Sequence, residues 1–276
     1  MDFGRRHRFV AILCVGIALS LARSRAQSAA AVADDDLGQI AAERWVGRAL
    51  ILRGFPAGDE LKYDAAGRLR SSGKVTDWTL AGFDLEKVSR RADGDLQLDG
   101  VRVAIRYNPE QHTFDRHPLK DEKMRIEFPA AAVRGVGPAL AARFSVGIDP
   151  ALERSMPPYW SHYFIPALEW PPDGLTGQTI VGQGGKMPEG VVYPELEKKL
   201  EPGFTPEASA DHVRGTVQVR MDVDAQGVPQ RIVVRQPLGY GLDARTVETV
   251  GRYRFRPGMQ DGVPAATEMT VNQAFD

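Results

Sequence analysis

The chain has a single cysteine among its 276 residues, Cys14, and almost no net charge. Cys14 lies inside an apolar run at residues 9–22, so the rest of the chain has no thiol for a disulfide or for thiolate chemistry. The 35 Lys and Arg residues balance 36 Asp and Glu residues, which gives a formal net charge of -1. A protein without a basic surface has little to attract nucleic acid or an anionic membrane. The composition therefore predicts no nucleic-acid partner.

The sequence also lacks the common catalytic motifs. It contains no Gly-x-Ser-x-Gly elbow of serine hydrolases and no Gly-x4-Gly-Lys-Ser/Thr phosphate loop. His112 and His117 flank Asp115, a combination that can bind a metal, but the alternative is a charged loop between strands. His162 stands among aromatic residues with no nucleophile near it in sequence. We predict no enzyme activity, no catalytic residue, no metal and no cofactor.

The N-terminus has the pattern of a targeting segment. Arg5, Arg6 and Arg8 precede the apolar run, which is short for a membrane span. The small residues of Ser24-Arg25-Ala26 offer a cleavage site before Gln27. We expect residues 1–26 to be a signal peptide that exports the protein to the periplasm. The alternative is an uncleaved segment anchored in the inner membrane, the one case in which a membrane contact is predicted.

The middle of the chain divides by composition. Residues 27–46 are predicted to be an Ala-rich leader and a short helix. Residues 47–130 contain short alternating strands with turns at 64–67, Asp93-Gly94 and Asp99-Gly100, which indicate a β-rich module. Residues 131–190 combine a helical and aromatic segment with a Pro/Gly linker. The aromatic cluster comprises Tyr159, Trp160, Tyr163 and Phe164.

The last part, residues 191–276, has the clearest pattern. Apolar and polar residues alternate over 216–223, Gly227 closes a turn at 224–227, and 232–234 is β-branched. Leu242, Val247 and Val250 have helical spacing, and Asp243 is expected to satisfy first-turn amides. Alternation returns over 268–275, after a turn at 262–264. The predicted order is ββαβ.

Several short motifs in this part resemble the C-terminal domain of the TonB family of periplasmic energy transducers, over about residues 198–276. These motifs are Pro202-Gly203-Phe204-Thr205-Pro206-Glu207-Ala208, Gly215-Thr216-Val217, Asp224 with Gly227, residues 239–243, Tyr253-Arg254-Phe255-Arg256-Pro257, Gly262-Val263-Pro264, and Val271-Asn272 with Phe275. Tyr253 stands where the family usually has Trp, and Thr246 where it usually has Ala. The chain also has nothing like the long Pro-rich spacer of TonB itself.

The resemblance implies that the last strand captures a short segment of an outer-membrane receptor. In the ββαβ order this strand joins beside the first and keeps one unpaired edge, which can accept an extended peptide. The predicted binding residues are Glu268, Met269, Thr270, Val271, Asn272 and Gln273. The alternative is that the N-terminal module or a second copy of the chain covers this edge.

The overall prediction is an α+β protein with a β-rich N-terminal module and a TonB-like ββαβ C-terminal domain. We expect it to bind an outer-membrane receptor or another envelope protein, with a link to transmembrane transport. One alternative is a structural or scaffolding protein that forms a homodimer through sheet edges. Another is a membrane-anchored energy transducer.

Overall fold

The computed structural model describes residues 43–70, 74–129, 136–168 and 189–276. The predicted signal peptide, the leader up to residue 42 and most of the Pro/Gly linker lie outside these ranges. None of the helices within them is long and apolar enough to cross a bilayer. With 46% strand and 17% helix, the described chain is α+β and rich in sheet, which confirms the predicted fold class.

The elements of the N-terminal part lead up to residue 168. They are β1 (Leu50–Leu52), β2 (Glu60–Lys62), a 3-10 turn (Trp78–Leu80), β3 (Gly82–Arg90), β4 (Leu96–Asn108), β5 (Thr113–Phe128), α1 (Val136–Ala141), β6 (Phe144–Val146), α2 (Pro150–Ser155) and α3 (Pro158–Phe164). The strands form one sheet in the order β2-β5-β4-β3-β1-β6, so the strand β6 joins it from beyond residue 130. All neighbours are antiparallel except β2 and β5.

Two sequence interpretations in this part are wrong, because β4 and β5 are longer than predicted. Asp99-Gly100 is no turn, since β4 runs through it. A Cβ at Gly100 would lie 2.1 Å from Asp84 O, so glycine here serves the close approach of β3. The predicted charged loop around His112 and His117 is also largely strand, because β5 begins at Thr113 and His117 pairs with Ala104.

The elements of the C-terminal part begin after residue 190. They are β7 (Val191–Val192), β8 (Glu195–Lys198), α4 (Pro206–Ala210), β9 (Gly215–Val223), β10 (Pro229–Gln236), α5 (Leu242–Val250), β11 (Arg254–Arg256), β12 (Gly258–Gln260), β13 (Val263–Ala265) and β14 (Thr267–Phe275). Three of the strands form the sheet β10-β9-β14, and α5 packs against β9 and β10. This is the predicted ββαβ arrangement, with the last strand beside the first.

Local chemistry explains most of these elements. Gly227 has φ 76° and closes the β9–β10 turn, as the sequence predicted. Tyr253 and Phe255 are buried, and the Tyr253 hydroxyl donates to Leu200 O at 3.0 Å. The predicted turn at 262–264 is shorter than expected, because Val263 and Pro264 belong to β13.

A loop at residues 238–241 joins the two parts through backbone hydrogen bonds. The Tyr107 amide donates to Leu238 O at 3.1 Å, and the Tyr240 amide donates to Ile105 O at 3.0 Å. The loop thus continues the N-terminal sheet along β4. On the other side, α3 packs against β10, and buried residues of both parts belong to one hydrophobic core. The sheet β10-β9-β14 is therefore packed against the N-terminal part of the protein.

Candidate functional site

The predicted binding strand, β14, lies at the border of its sheet. It pairs with β9 along its whole length, from Thr267 opposite Val223 to Phe275 opposite Gly215, without a bulge. No described strand pairs with its other side. Thr270, Asn272 and Ala274 are exposed. Among the described residues, the N-terminal module contributes no strand to this edge, which was one of the two covering alternatives.

The direction of the backbone groups along β14 follows from the β9–β10 turn. The Asp224 amide donates to Val228 O at 3.0 Å, and Asp224 O accepts from the Gly227 amide at 2.9 Å. Both backbone groups of Asp224 therefore point toward β10. In an antiparallel strand this direction alternates from residue to residue, so Val223 and every second residue before it point toward β14.

The same alternation applies to β14. The residues paired with inward-pointing β9 residues are Thr267, Met269, Val271, Gln273 and Phe275. The intervening residues point their backbone N–H and C=O groups away from the sheet. We call the backbone groups of Glu268, Thr270, Asn272 and Ala274 the free edge. No backbone hydrogen bond among the described residues engages them.

One side-chain contact at the end of β14 is compatible with this assignment. The Gln273 amide nitrogen Nε2 donates to Ala274 O at 2.8 Å. This contact agrees with an Ala274 carbonyl that faces away from β9, as the alternation requires.

The two faces of β14 differ in chemistry. On the outer face, Glu268 forms an ion pair with Arg220 at 3.3 Å, and Asn272 Oδ1 accepts from Gln218 Nε2 at 2.9 Å. On the inner face, Met269 and Val271 are half-buried against the core. A strand added at the free edge would therefore meet polar side chains on one face and apolar side chains on the other. The structure places all six predicted site residues on this one strand.

The N-terminal sheet has a comparable edge that is blocked. The strand β2 pairs with β5 only at residues 125–127, which leaves residues 113–123 of β5 without a described neighbour on that side. This stretch contains Pro118 and exposed charges at Lys120, Asp121 and Lys123. Proline and charge are the usual protection of sheet edges against pairing. The free edge of β14 has no proline, and its one charged residue, Glu268, has a partner.

The aromatic cluster, which was the reserve candidate for a binding site, is part of the core. Trp160 is fully buried and packs edge-to-face on Trp78 with ring centroids 5.3 Å apart. Its indole nitrogen donates to the carboxyl of Asp77 at 2.9 Å. The cluster thus joins the N-terminal sheet to α3. Trp160 leaves no surface for a partner.

A buried pair of carboxyl groups lies at the junction of the two parts. Asp77 and Asp243 are both buried, and burial raises the pKa of each, that of Asp243 to about 8 with the Asp77 charge as a further cause. The carboxyl of Asp243 accepts from the amides of Leu238 and Gly239 in the loop before α5, whereas the sequence predicted contacts with the first turn of the helix. It therefore shapes the loop at 238–241. Both carboxyls are buried from solvent and hydrogen-bonded within the protein. We therefore interpret them as groups that stabilise the junction.

The histidine candidates are dispersed. Tyr107 and His112 are 3.0 Å apart, from the hydroxyl oxygen to Nδ1, at the β4–β5 turn, whereas His117 packs its ring beside Tyr240. His162 is buried on α3, and burial lowers its pKa. Within the described ranges, no three His, Cys, Asp or Glu residues are close enough together to hold a metal ion.

A small antiparallel sheet with one open edge, backed by a helix, is an arrangement to which an extended peptide can add as a further strand. The sequence comparison names a family for this part of the chain. Residues 201–276 match the family model described as the Gram-negative bacterial TonB protein C-terminal, over 76 of the 276 residues. This part of the chain is therefore a TonB C-terminal family domain. No curated protein matches the chain.

The family identifies the general setting. TonB C-terminal domains are non-catalytic protein-interaction domains of bacterial envelope proteins, and are generally involved in receptor interaction and transport. The match covers a little over a quarter of the chain and does not extend to the N-terminal sheet.

The sequence analysis did not predict the particular role of Gln273. It included Gln273 among the binding residues, but the side chain is buried on the inner face and donates to Ala274 O. The signal was present in the alternation, because Gln273 is a polar residue at a position where Met269, Val271 and Phe275 are apolar.

Proposed function

We propose that this protein is an exported envelope protein whose TonB-type domain captures an extended segment of a partner protein along β14. The partner segment adds as a fourth strand beside Glu268, Met269, Thr270, Val271, Asn272 and Gln273. We infer that residues 1–26 are the signal peptide that brings the chain to the periplasm, where an outer-membrane receptor or another envelope protein is the partner. Capture of this kind is the step that links such a domain to transport.

The observation that carries the proposal is the set of unpaired backbone groups on the free edge. Glu268, Thr270 and Asn272 each offer an N–H and a C=O group, and no hydrogen bond of the described residues uses them. Main-chain pairing supplies most of the affinity in strand addition, and pockets for alternate side chains supply specificity. Half-buried Met269 and Val271 favour a segment with apolar residues at alternate positions.

The support behind the strand favours the same function. A peptide that pairs with a mobile strand must order that strand first, which weakens binding. Here β14 pairs with the central strand β9 over all nine residues, and β10 on the far side is held by α3. We infer that the N-terminal module, over about residues 47–130 with the segment that follows, holds the sheet in place for binding.

The test uses two neighbouring proline substitutions in the whole protein. Thr270→Pro removes an outward-pointing N–H, so the protein should stay folded and lose its partner. Val271→Pro removes an N–H that bonds to β9, so it should destabilise the protein, on the order of 3 kcal/mol. Circular dichroism and urea unfolding check the fold. Binding is measured with a nine-residue peptide selected on the wild-type protein from a random phage-displayed library.

Amide hydrogen exchange gives the decisive pattern. Bound peptide should slow exchange at Thr270 and Asn272, which point outward, and change little at Val271, whose amide is already bonded. A folded Thr270→Pro variant that binds the peptide as tightly as wild type would rule out strand addition here. The scaffold alternative, in which a second copy pairs along the same edge, predicts a wild-type dimer in sedimentation that Thr270→Pro converts to a monomer.

A further inference from the structure

The segment at residues 199–204, which we call the strap, lies against the C-terminal end of β14. Its backbone is tied to the domain because Leu200 O accepts from the Tyr253 hydroxyl at 3.0 Å. At its other end, the ring of Phe204 packs edge-to-face on Phe275, with centroids 5.3 Å apart. The strap contributes no backbone hydrogen bond to the free edge. It therefore borders the free edge without filling it.

Gln273 connects the strap to the free edge. Its Nε2 atom donates to Glu201 Oε2 at 3.2 Å and to Ala274 O at 2.8 Å, and its side chain is buried. Glu201 is itself paired with Lys199 at 2.6 Å. The Lys199 ammonium group, followed by the Gln273 amide, lowers the pKa of Glu201, so the acceptor stays charged. The strap thus holds the Gln273 amide against the last outward carbonyl.

The contact between Gln273 and Ala274 limits the number of β14 residues with which a partner strand can pair. In an antiparallel added strand, the residue opposite Ala274 exchanges two hydrogen bonds with it, one at its N–H and one at its C=O. The Gln273 amide already donates to this carbonyl, so a partner N–H must share the Ala274 oxygen or displace the Gln273 side chain. At Glu268, Thr270 and Asn272 both groups are open. The free edge is therefore complete over residues 268–272 and incomplete beyond them.

We propose that Gln273 is a specificity-determining residue that ends the partner's ladder at Asn272, so that the site selects a paired segment of about five residues. This inference rests on the proposed function. A longer extended segment gains nothing from its additional residues in the wild-type protein. Removal of the Gln273 amide frees the Ala274 carbonyl and extends the site by one hydrogen bond.

The test compares peptide lengths in the variant Gln273→Leu, with Gln218→Leu as the matched control. Gln218 is also an amide bonded to a β14 residue, but its contact is with the Asn272 side chain on the outer face. The probe is the nine-residue peptide that protects the Thr270 and Asn272 amides, together with its five-residue core. Binding to the whole protein is measured by fluorescence anisotropy, and thermal unfolding confirms that each variant is folded. If Gln273→Leu does not fold, Gln273→Met takes its place.

We expect Gln273→Leu to bind the nine-residue peptide about three- to tenfold more tightly, the net contribution of one hydrogen bond. Binding of the five-residue core should change less than about twofold, and Gln218→Leu should not separate the two peptides. The Ala274 amide should be protected more strongly in the Gln273→Leu complex than in the wild-type complex. Unchanged affinity for the longer peptide, or full protection of Ala274 in the wild-type complex, overturns this inference alone. A search that returns no peptide protecting Thr270 and Asn272 overturns the proposed function and this inference with it.

Discussion

Replacing Gly239 by alanine is expected to separate the N-terminal sheet from the loop at 238–241. Gly239 has φ +94°, and it forms a β-bridge with Arg106 of β4. A Cβ at this position would lie 2.1 Å from Ile105 O and 2.8 Å from Arg106 Cα. Both atoms belong to the backbone, so no side-chain rotation can relieve the clash.

The magnitude follows from these contacts. A non-glycine residue at this φ costs about 1–2 kcal/mol in backbone strain. Displacement of the loop from β4 breaks the two backbone hydrogen bonds to Tyr107 and Ile105, at about 1 kcal/mol each. Gly239→Ala should therefore lower the free energy of unfolding by about 3–4 kcal/mol, a large fraction of the 5–15 kcal/mol typical of a domain.

Urea unfolding of the whole protein measures this effect, with tryptophan fluorescence as the signal because Trp78 and Trp160 lie at the junction. The matched control is Gly262→Ala. Gly262 has φ +81°, but a Cβ there meets nothing within 4 Å. The control should lose only the strain, about 1–2 kcal/mol. Equal losses in the two variants would refute the inference that the loop docks tightly on β4.

Two further predictions concern Asp243 and Gly227. Burial raises the pKa of Asp243 to about 8, so the folded protein keeps a proton that the unfolded chain releases near pH 4. The contribution of Asp243 to the free energy of unfolding should accordingly be fully present below about pH 4 and be lost as the pH rises toward 8. Asp243→Asn should remove this part of the pH dependence in urea unfolding at about pH 5, 7 and 9, and an unchanged pH dependence would contradict the assignment. Gly227→Val should cost more than strain alone, about 3 kcal/mol, because a Cβ would lie 1.8 Å from Phe255 O and break the bond from the Phe255 amide to Gly227 O. The exposed neighbour Gln226, replaced by Ser, should stay within about 0.5 kcal/mol of wild type, and similar losses at both positions would show that the turn is not constrained.

The sequence alone determined the elements that local patterns govern. Alternation with period two identified β9 and β14, the glycine at 227 identified the turn between β9 and β10, and helical spacing identified α5. These signals are strong because side-chain burial on one face and positive φ are properties of a few consecutive residues. The same patterns placed the predicted binding residues on one strand at the border of a sheet.

Contacts between distant segments were decided only by the tertiary structure. The predicted turn at Gly100 failed because this glycine serves the approach of β3, fifteen or so residues earlier, and not a change of direction. Asp243 bonds to the loop before α5 because burial against the N-terminal sheet closes that loop around it. The identity of a glycine or an aspartate does not tell whether it lies in a turn or in a packed junction. Its neighbours in the tertiary structure decide its role.

The direction of the backbone groups on β14 is the clearest case of this division. The sequence marks Thr270 and Val271 as adjacent strand residues, but which of them points outward depends on the register with β9 and on the turn at 224–227. The contact between Gln273 and Ala274 O likewise depends on a strap some 70 residues earlier in the chain. The sequence thus determined that an edge strand exists, whereas register and packing decided which of its groups a partner can reach.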